Sequence, residues 1–200
     1  MIGYYKVFGD IPEGDYESCV AFLELELSSE LTAAYAEKFE GSEIRHFNDN
    51  AGRSYRLFFD CTEDYESEDP YSRAARVVFI HARSTAGKVK RETNRMRQFL
   101  GAFKNQPEYV GYDKGHFIAH CNDGQIDQNL YPQLRELNRG LSPQGKLFRS
   151  MERYLQQNEG VFYFVRPVYN DLTWIPDKLD FGIFTKEKGL LFNRFNNRKS

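Results

Sequence analysis

Cysteine is scarce in this chain. The three present, Cys19, Cys61 and Cys121, are too few and too scattered for a disulfide framework or a paired-cysteine metal site, which favours a reducing, cytoplasmic setting. Long apolar runs are also missing. No stretch approaches the roughly 18 consecutive apolar residues of a membrane-spanning helix, and residues 1–9 hold no basic run leading into an apolar one. A membrane is therefore not an expected partner. No internal repeat is visible, which sets aside solenoids and propellers.

What is present suits a folded protein. Forty per cent of the 200 residues are hydrophobic and 16% aromatic, enough apolar surface to offset chain entropy, and the length fits one ordinary domain or a domain with a modest extension. The net charge of −2 hides a division. Residues 1–80 hold 7 Lys and Arg against 17 Asp and Glu, a balance of −10, while residues 81–200 hold 20 against 12, a balance of +8. Only the second part suits a polyanion. The same numbers also fit two parts that neutralise each other across an internal interface.

Periodicity predicts strands over Tyr4–Phe8 and Val20–Leu27, the latter from the alternation of Ala21, Leu23, Leu25 and Leu27 with polar or outward residues. A helix capped by Ser29 and stopped by Gly41 follows, then a strand over Tyr55–Asp60. Residues 62–72 are acidic, carry Pro70 and read as an exposed loop. They mark a seam between an acidic N-terminal region, 1–75, packed on the remainder, and a second region, 76–200. Within the latter, Arg76–Ala82 is a buried strand, Lys88–Lys104 a basic helix, and His116–Ala119 a short strand. Asn129–Gly140 reads as irregular with one extended piece. Ser142 and Pro143 open a helix with Leu147, Met151, Tyr154 and Leu155 as its buried stripe and Glu152 off it. Phe162–Val168, Leu179–Phe184 and Leu190–Phe192 complete an α+β chain with a mixed, mostly antiparallel sheet.

One stretch concentrates reactive chemistry. Asp113-Lys114-Gly115-His116 is followed by Asn129, by the turn Leu137-Asn138-Arg139-Gly140, and by Glu152 on a helix. A histidine that takes a proton near neutral pH, amide and carboxylate oxygens suited to a hard divalent cation, and arginines suited to phosphate are the parts that metal-assisted phosphodiester hydrolysis requires. Each also has a bland reading: a packed histidine, an Asn-Gly-type turn, and a helix-surface ion pair between Arg149 and Glu152.

The run DKGHFIAH (Asp113–His120), then NLYPQ (Asn129–Gln133), LNRG (Leu137–Gly140) and the Met151-Glu152 pair resemble the non-specific DNA/RNA endonucleases of the ββα-metal, or His-Me finger, group. The resemblance spans roughly residues 76–184. It implies a ββα-metal motif in which His116 is the general base, Asn138 the direct ligand of one Mg²⁺ or Mn²⁺, Glu152 a holder of metal-bound water, and Asn129 a support. Asp113 and Lys114 complete the catalytic motif. Lys114 stands where the family has arginine or glycine, and it keeps a charge without the bidentate fork. Arg91, Arg95, Arg139 and Arg149 are the candidate nucleic-acid contacts. The resemblance further implies a DNA or RNA substrate read without sequence preference, an inhibitor or regulatory partner, and a bacterial toxin or phage-defence setting.

Three other readings compete. His116 and His120 form an H-x-x-x-H pair beside Cys121, but Phe117 stands where a zinc protease helix needs glutamate, and the local sequence favours a strand. A binding module that has lost catalysis would not need a histidine base beside a metal ligand. The acidic loop, with Glu63, Asp64, Glu66, Glu68 and Asp69, could also lie over the basic region as an autoinhibitory phosphate mimic.

Overall fold

A computed structural model describes residues 3–48, 55–62, 76–85, 105–124 and 129–199. Helices α1 (Tyr4–Gly9) and α2 (Tyr16–Lys38) precede strands β1 (Ile44–Asn48), β2 (Tyr55–Asp60), β3 (Val77–Arg83) and β4 (Tyr112–His116). Strand β5 (Leu130–Leu134) runs directly into the short helix α3 (Arg135–Asn138), then helix α4 (Pro143–Gln157). Strands β6 (Phe162–Val168), β7 (Lys178–Thr185) and β8 (Gly189–Asn196) follow. The class is α+β. Six strands form one sheet in the order β1-β2-β3-β6-β7-β8, with every pairing antiparallel, and β4 and β5 form a separate antiparallel ladder. The large sheet runs unbroken from β2 to β3, so strands from both sides of residue 75 share it.

The sheet separates two cores, because successive side chains of a strand point to opposite faces. In β6, Phe162 and Phe164 join the core under α1 and α2, together with Leu23, Leu27, Leu31 and Phe79. Tyr163 and Val165 join the other core, with Phe148, Met151 and Leu155 of α4 and Phe117 and Tyr131 of the small ladder. A strand buried on both sides reads as a continuous apolar run, which is why β6 is FYFV. Its register with β7 sets Phe164 opposite Gly182, where a Cβ would lie 2.1 Å from the Phe164 ring.

The first two strand expectations fail. Tyr4–Phe8 lies within helix α1, with Tyr4 and Val7 buried one turn apart. The Tyr4 hydroxyl donates to the buried Asp180 carboxylate at 2.7 Å, which ties α1 to β7. Val20–Leu27 lies inside α2, whose Asp15 cap accepts from the Ser18 amide at 2.7 Å. The alternation of leucines was ambiguous, since a period of two contains a period of four. Cys19, Leu23, Leu27, Leu31 and Tyr35 are buried at that spacing while Leu25 is 68% exposed. Ser29 is therefore an interior residue of the helix and not its cap.

Corrections around α4 matter more for function. Ser142 does cap this helix, its hydroxyl accepting from the Gly145 amide at 3.0 Å. The buried stripe is Gly145, Phe148, Met151 and Leu155, whereas Leu147 is exposed and Tyr154 half-buried. The strand expected at His116–Ala119 ends at His116, and a short 3₁₀ turn, His120–Asn122, follows. The region after Asn129 is more regular than expected. Asn138 is the last residue of α3, and Gly140 beyond it adopts φ +69°, a conformation glycine tolerates without strain. Strand β8 extends well past the expected Leu190–Phe192. The acidic residues 63–72 and the basic segment expected as a helix over 88–104 lie outside the described residues.

Candidate active site

The small ladder carries the DKGH run. Asp113 pairs with Gln133, Lys114 with Pro132, Gly115 with Tyr131 and His116 with Leu130. Gly115 is required by packing, since a Cβ there would sit 2.2 Å from the Gln133 Oε1. Phe117 stacks on Tyr131 with ring centroids 4.1 Å apart, fixing the chain just after His116.

Asn129 makes the turn beyond that point. Its buried side chain accepts from the Ile118 amide at 2.8 Å and donates to the Ile118 carbonyl at 2.9 Å, while its own carbonyl accepts from the Phe117 amide at 3.0 Å. A carboxamide is the side chain that can satisfy a buried backbone donor and acceptor at once. Asn129 thus positions the segment following His116. The same capture of Ile118 explains why the strand stops there.

Asp113 organises a second group. Its carboxylate accepts from Arg139 Nε at 2.6 Å and Nη2 at 3.0 Å, from Arg135 Nε at 3.2 Å and from Asn138 Nδ2 at 3.3 Å. Burial alone would raise the Asp113 pKa, but the hydrogen bonds from Arg139, Arg135 and Asn138 outweigh it and hold the carboxyl below its ordinary range. An ionised Asp113 is an anchor. It engages the nitrogen side of the Asn138 amide, so the amide oxygen remains the donor atom suited to a cation. Arg135 was not anticipated, although its spacing from Asn138 and Arg139, three and four residues, places all three on one side of a helix. Lys114 is half-buried, and loss of solvent lowers its pKa.

Glu152 is buried more deeply than its place off the helix stripe suggests. It is not a solvated helix-surface residue: its side chain is only 12% exposed, and Arg149 Nη1 donates to it at 2.8 Å. Burial pushes its carboxyl up to about 7, with Arg149 opposing the shift. Its charge in turn raises the pKa of the Tyr131 hydroxyl and of the Cys121 and Tyr163 groups, although burial is the larger cause in each. These side chains therefore surround one acidic spot where α4 faces the small ladder. Cys121 is accordingly not an activated thiolate.

Hydrogen bonds thus join Asp113, Arg135, Asn138 and Arg139 into one cluster, and Arg149 and Glu152 into another. His116 closes β4 three residues beyond Asp113. The helices bearing the clusters touch closely: a Cβ on Gly145 of α4 would lie 2.3 Å from the Glu136 carbonyl oxygen of α3. Arg139 and Arg149, expected to hold nucleic acid, each engage a carboxylate. Arg91 and Arg95 lie outside the described residues. His116 and His120 fall in different elements, and no group of three His, Cys, Asp or Glu residues converges as a metal site among the described residues. Asn138 and Glu152 sit on the neighbouring helices α3 and α4.

Solved structures that resemble the chain include two nucleases. One is described as Sda1 nuclease with bound zinc ion, 14% identical, covering 79% of this chain and 76% of its own, at a TM-score of 0.39. The other, an extracellular endonuclease, is 16% identical and covers 79% of this chain and 91% of its own, at a TM-score of 0.44. No curated protein matches. The family assignment rests instead on the profile of DNA/RNA non-specific endonucleases, which matches residues 59–188 and so takes in β3, the small ladder, α3 and α4. The chain belongs to the DNA/RNA non-specific endonuclease family.

Proposed function

We propose that this protein is a metal-dependent endonuclease that hydrolyses phosphodiester bonds of DNA, RNA or both with little sequence preference. The observation that carries the reading is the Asp113 anchor. By binding the nitrogen of Asn138 it orients the amide oxygen on the element that follows the DKGH strand and its partner.

The donor set fits a hard divalent ion. Asn138 offers a neutral oxygen, and Glu152 offers a buried carboxylate whose only ion-pair partner among the described residues is Arg149. Such ions prefer oxygen ligands and retain several waters, so few protein ligands suffice. We assign Mg²⁺ or Mn²⁺, held by Asn138 directly and by Glu152 through water. A bound ion supplies neutralisation of charge on the phosphoryl and leaving oxygens. His116 takes the proton of the attacking water as the new P–O bond forms and the 3′-oxygen departs, a contribution of roughly 10² to 10⁴ in rate. Asn129 fixes the turn behind His116, Asp113 fixes Asn138, and the Lys114 ammonium adds positive charge on the motif strand.

An unspecific nuclease harms the cell that makes it. We therefore propose an inhibitor or regulatory partner and a toxin or phage-defence role, in a cytoplasm with which the three free thiols are compatible. The test is cleavage of plasmid DNA, single-stranded DNA and RNA with Mg²⁺, Mn²⁺, Zn²⁺ or chelator, native against His116→Ala. Metal-dependent cutting that disappears in the variant supports the reading. Cutting that survives the substitution removes His116 as base, and binding without cutting under every metal leaves a binding module.

A further inference from the structure

A cleft of about 790 Å³ opens beside the Asp113 cluster, lined in part by Arg135, Gln144, Asn196, Arg198, Lys199 and Gly111. None of the DKGH residues, Asn138 or Glu152 lines it, so it is a separate concavity. It is nevertheless adjacent to them. Arg135 belongs to both, and Asn138 lies one turn along the same helix, a rise of about 5 Å.

Its cationic wall is built, not incidental. Arg135 engages Asp113 through Nε, which leaves both terminal guanidinium nitrogens without a partner among the described residues. A free terminal fork of this kind matches two phosphate oxygens. Another part of the lining comes from the end of β8 and the segment after it. Asn197 is fully buried, accepts from the Leu134 amide at 2.8 Å and donates to the Pro132 and Pro176 carbonyls at 3.0 and 2.9 Å. Arg198 is fastened to Asp171 at 2.6 Å and Asp177 at 3.3 Å. The segment is therefore held, and it presents Lys199 with its ammonium 5.6 Å from the Tyr112 ring centroid and no carboxylate partner among the described residues. The lining holds Arg135, Arg198 and Lys199 beside Glu136; Arg135 is paired with Asp113 and Arg198 with two aspartates, which leaves Lys199 as the cation without a carboxylate partner among the described residues. The volume lies within the roughly 300–1,000 Å³ of small-ligand clefts, which suits part of one strand and not a duplex.

We propose that this cleft is a phosphate subsite for one strand of the polynucleotide next to the scissile bond, with the Arg135 fork and the Lys199 ammonium as its donors. The proposal rests on the nuclease reading above.

The test uses fluorescence anisotropy of a short labelled single-stranded DNA with Mg²⁺, in a His116→Ala background so that the probe stays intact. Each lost phosphate contact on a single strand lowers the slope of log K against log salt by about 0.7. Lys199→Gln is expected to lower the slope by about that amount and to weaken binding roughly threefold to tenfold at low salt. Arg135→Lys, which keeps the charge without the fork, should also weaken binding. Lys6→Gln removes one charge from α1, on the other face of the sheet, and should leave the slope alone. A slope indifferent to Lys199→Gln, an equal change in Lys6→Gln, or a parent that binds no oligonucleotide overturns the subsite. Cleavage by the native chain is read separately. If it cuts but its slope ignores Lys199, the subsite alone fails; if it never cuts but the slope responds, the nuclease reading fails and the subsite stands.

Discussion

Gly145→Ala should loosen the site from a distance. The added Cβ would meet the Glu136 carbonyl oxygen at 2.3 Å, the Gly140 Cα at 2.9 Å and the Leu137 carbonyl oxygen at 3.1 Å, whereas ordinary contact begins near 3.4 Å. All three atoms are backbone, so no side chain can swing away, and α3 and α4 must part by about 1 Å, judged from the shortest approach. Overpacking of this kind costs about 1–3 kcal/mol. Alanine regains roughly 0.5–1 kcal/mol through its better helix propensity. The net loss of about 1–2 kcal/mol lowers Tm by about 2–8 °C for a chain of this size. Because α3 bears Asn138 and α4 bears Glu152, a 1 Å separation exceeds the roughly 0.5 Å tolerance of a preorganised site. The divalent-ion concentration for half-maximal cleavage should rise at least about tenfold. Thermal melting and a Mg²⁺ titration check both effects, with Gly9→Ala as control, since nothing lies within 4 Å of a Cβ there. A Gly145→Ala protein that melts at or above the native temperature with an unchanged titration would refute the argument.

Three further outcomes are expected. Asn129→Ala leaves the Ile118 amide and carbonyl without their side-chain partner, at a cost of about 2–4 kcal/mol in urea denaturation, and should reduce kcat more than it alters KM; an unchanged urea midpoint would contradict it. Asn138→Ala should raise the metal requirement while Asp113 stays held by Arg135 and Arg139, and an identical titration would return Asn138 to a purely structural role. His81, buried among Phe58, Phe79 and Phe162, has its pKa lowered to about 3 by burial, with Arg56 adding to the shift. Between that value and its ordinary 6.5 the unfolded chain binds a proton that the folded chain refuses, so stability is full above pH 6.5 and falls as the pH drops toward 3. Discounted for the Glu24 carboxylate 3.7 Å away, the loss is on the order of 3 kcal/mol. His81→Phe should flatten that acid limb in denaturation curves, and an unaltered pH profile would exclude His81 as its source.

The order of the site residues was legible in the sequence because their spacing is local: DKGH on one strand, Asn129 opening the next, Asn138 and Glu152 on the helices that follow. The environment of each was not. From the sequence Glu152 admits both a metal-site role and a surface ion pair with Arg149, and only the packing of α4 against the small ladder makes it a buried carboxylate with a raised pKa. Arg135 was missed because α3 was taken as irregular, which hid its common face with Asn138 and Arg139. Helix α2 was misread for a different reason. Leucine at every second position also places leucine at every fourth, and tertiary burial under the large sheet decided which period counts.

The close fit of Phe164 against Gly182 has a consequence for how securely the two cores are assigned. A strand that slips by one residue delivers its whole inner row to the wrong side. Moving β7 by one position along β6 would set Phe164 against Phe181 or Ile183, both large, in place of the one neighbour lacking a side chain. The same slip would turn Phe181 and Ile183 away from α4 and toward α2. A single missing methyl group therefore serves as a register mark for the central strands, and the wall on which α4 and Glu152 rest keeps its composition because the alternative alignment has no room.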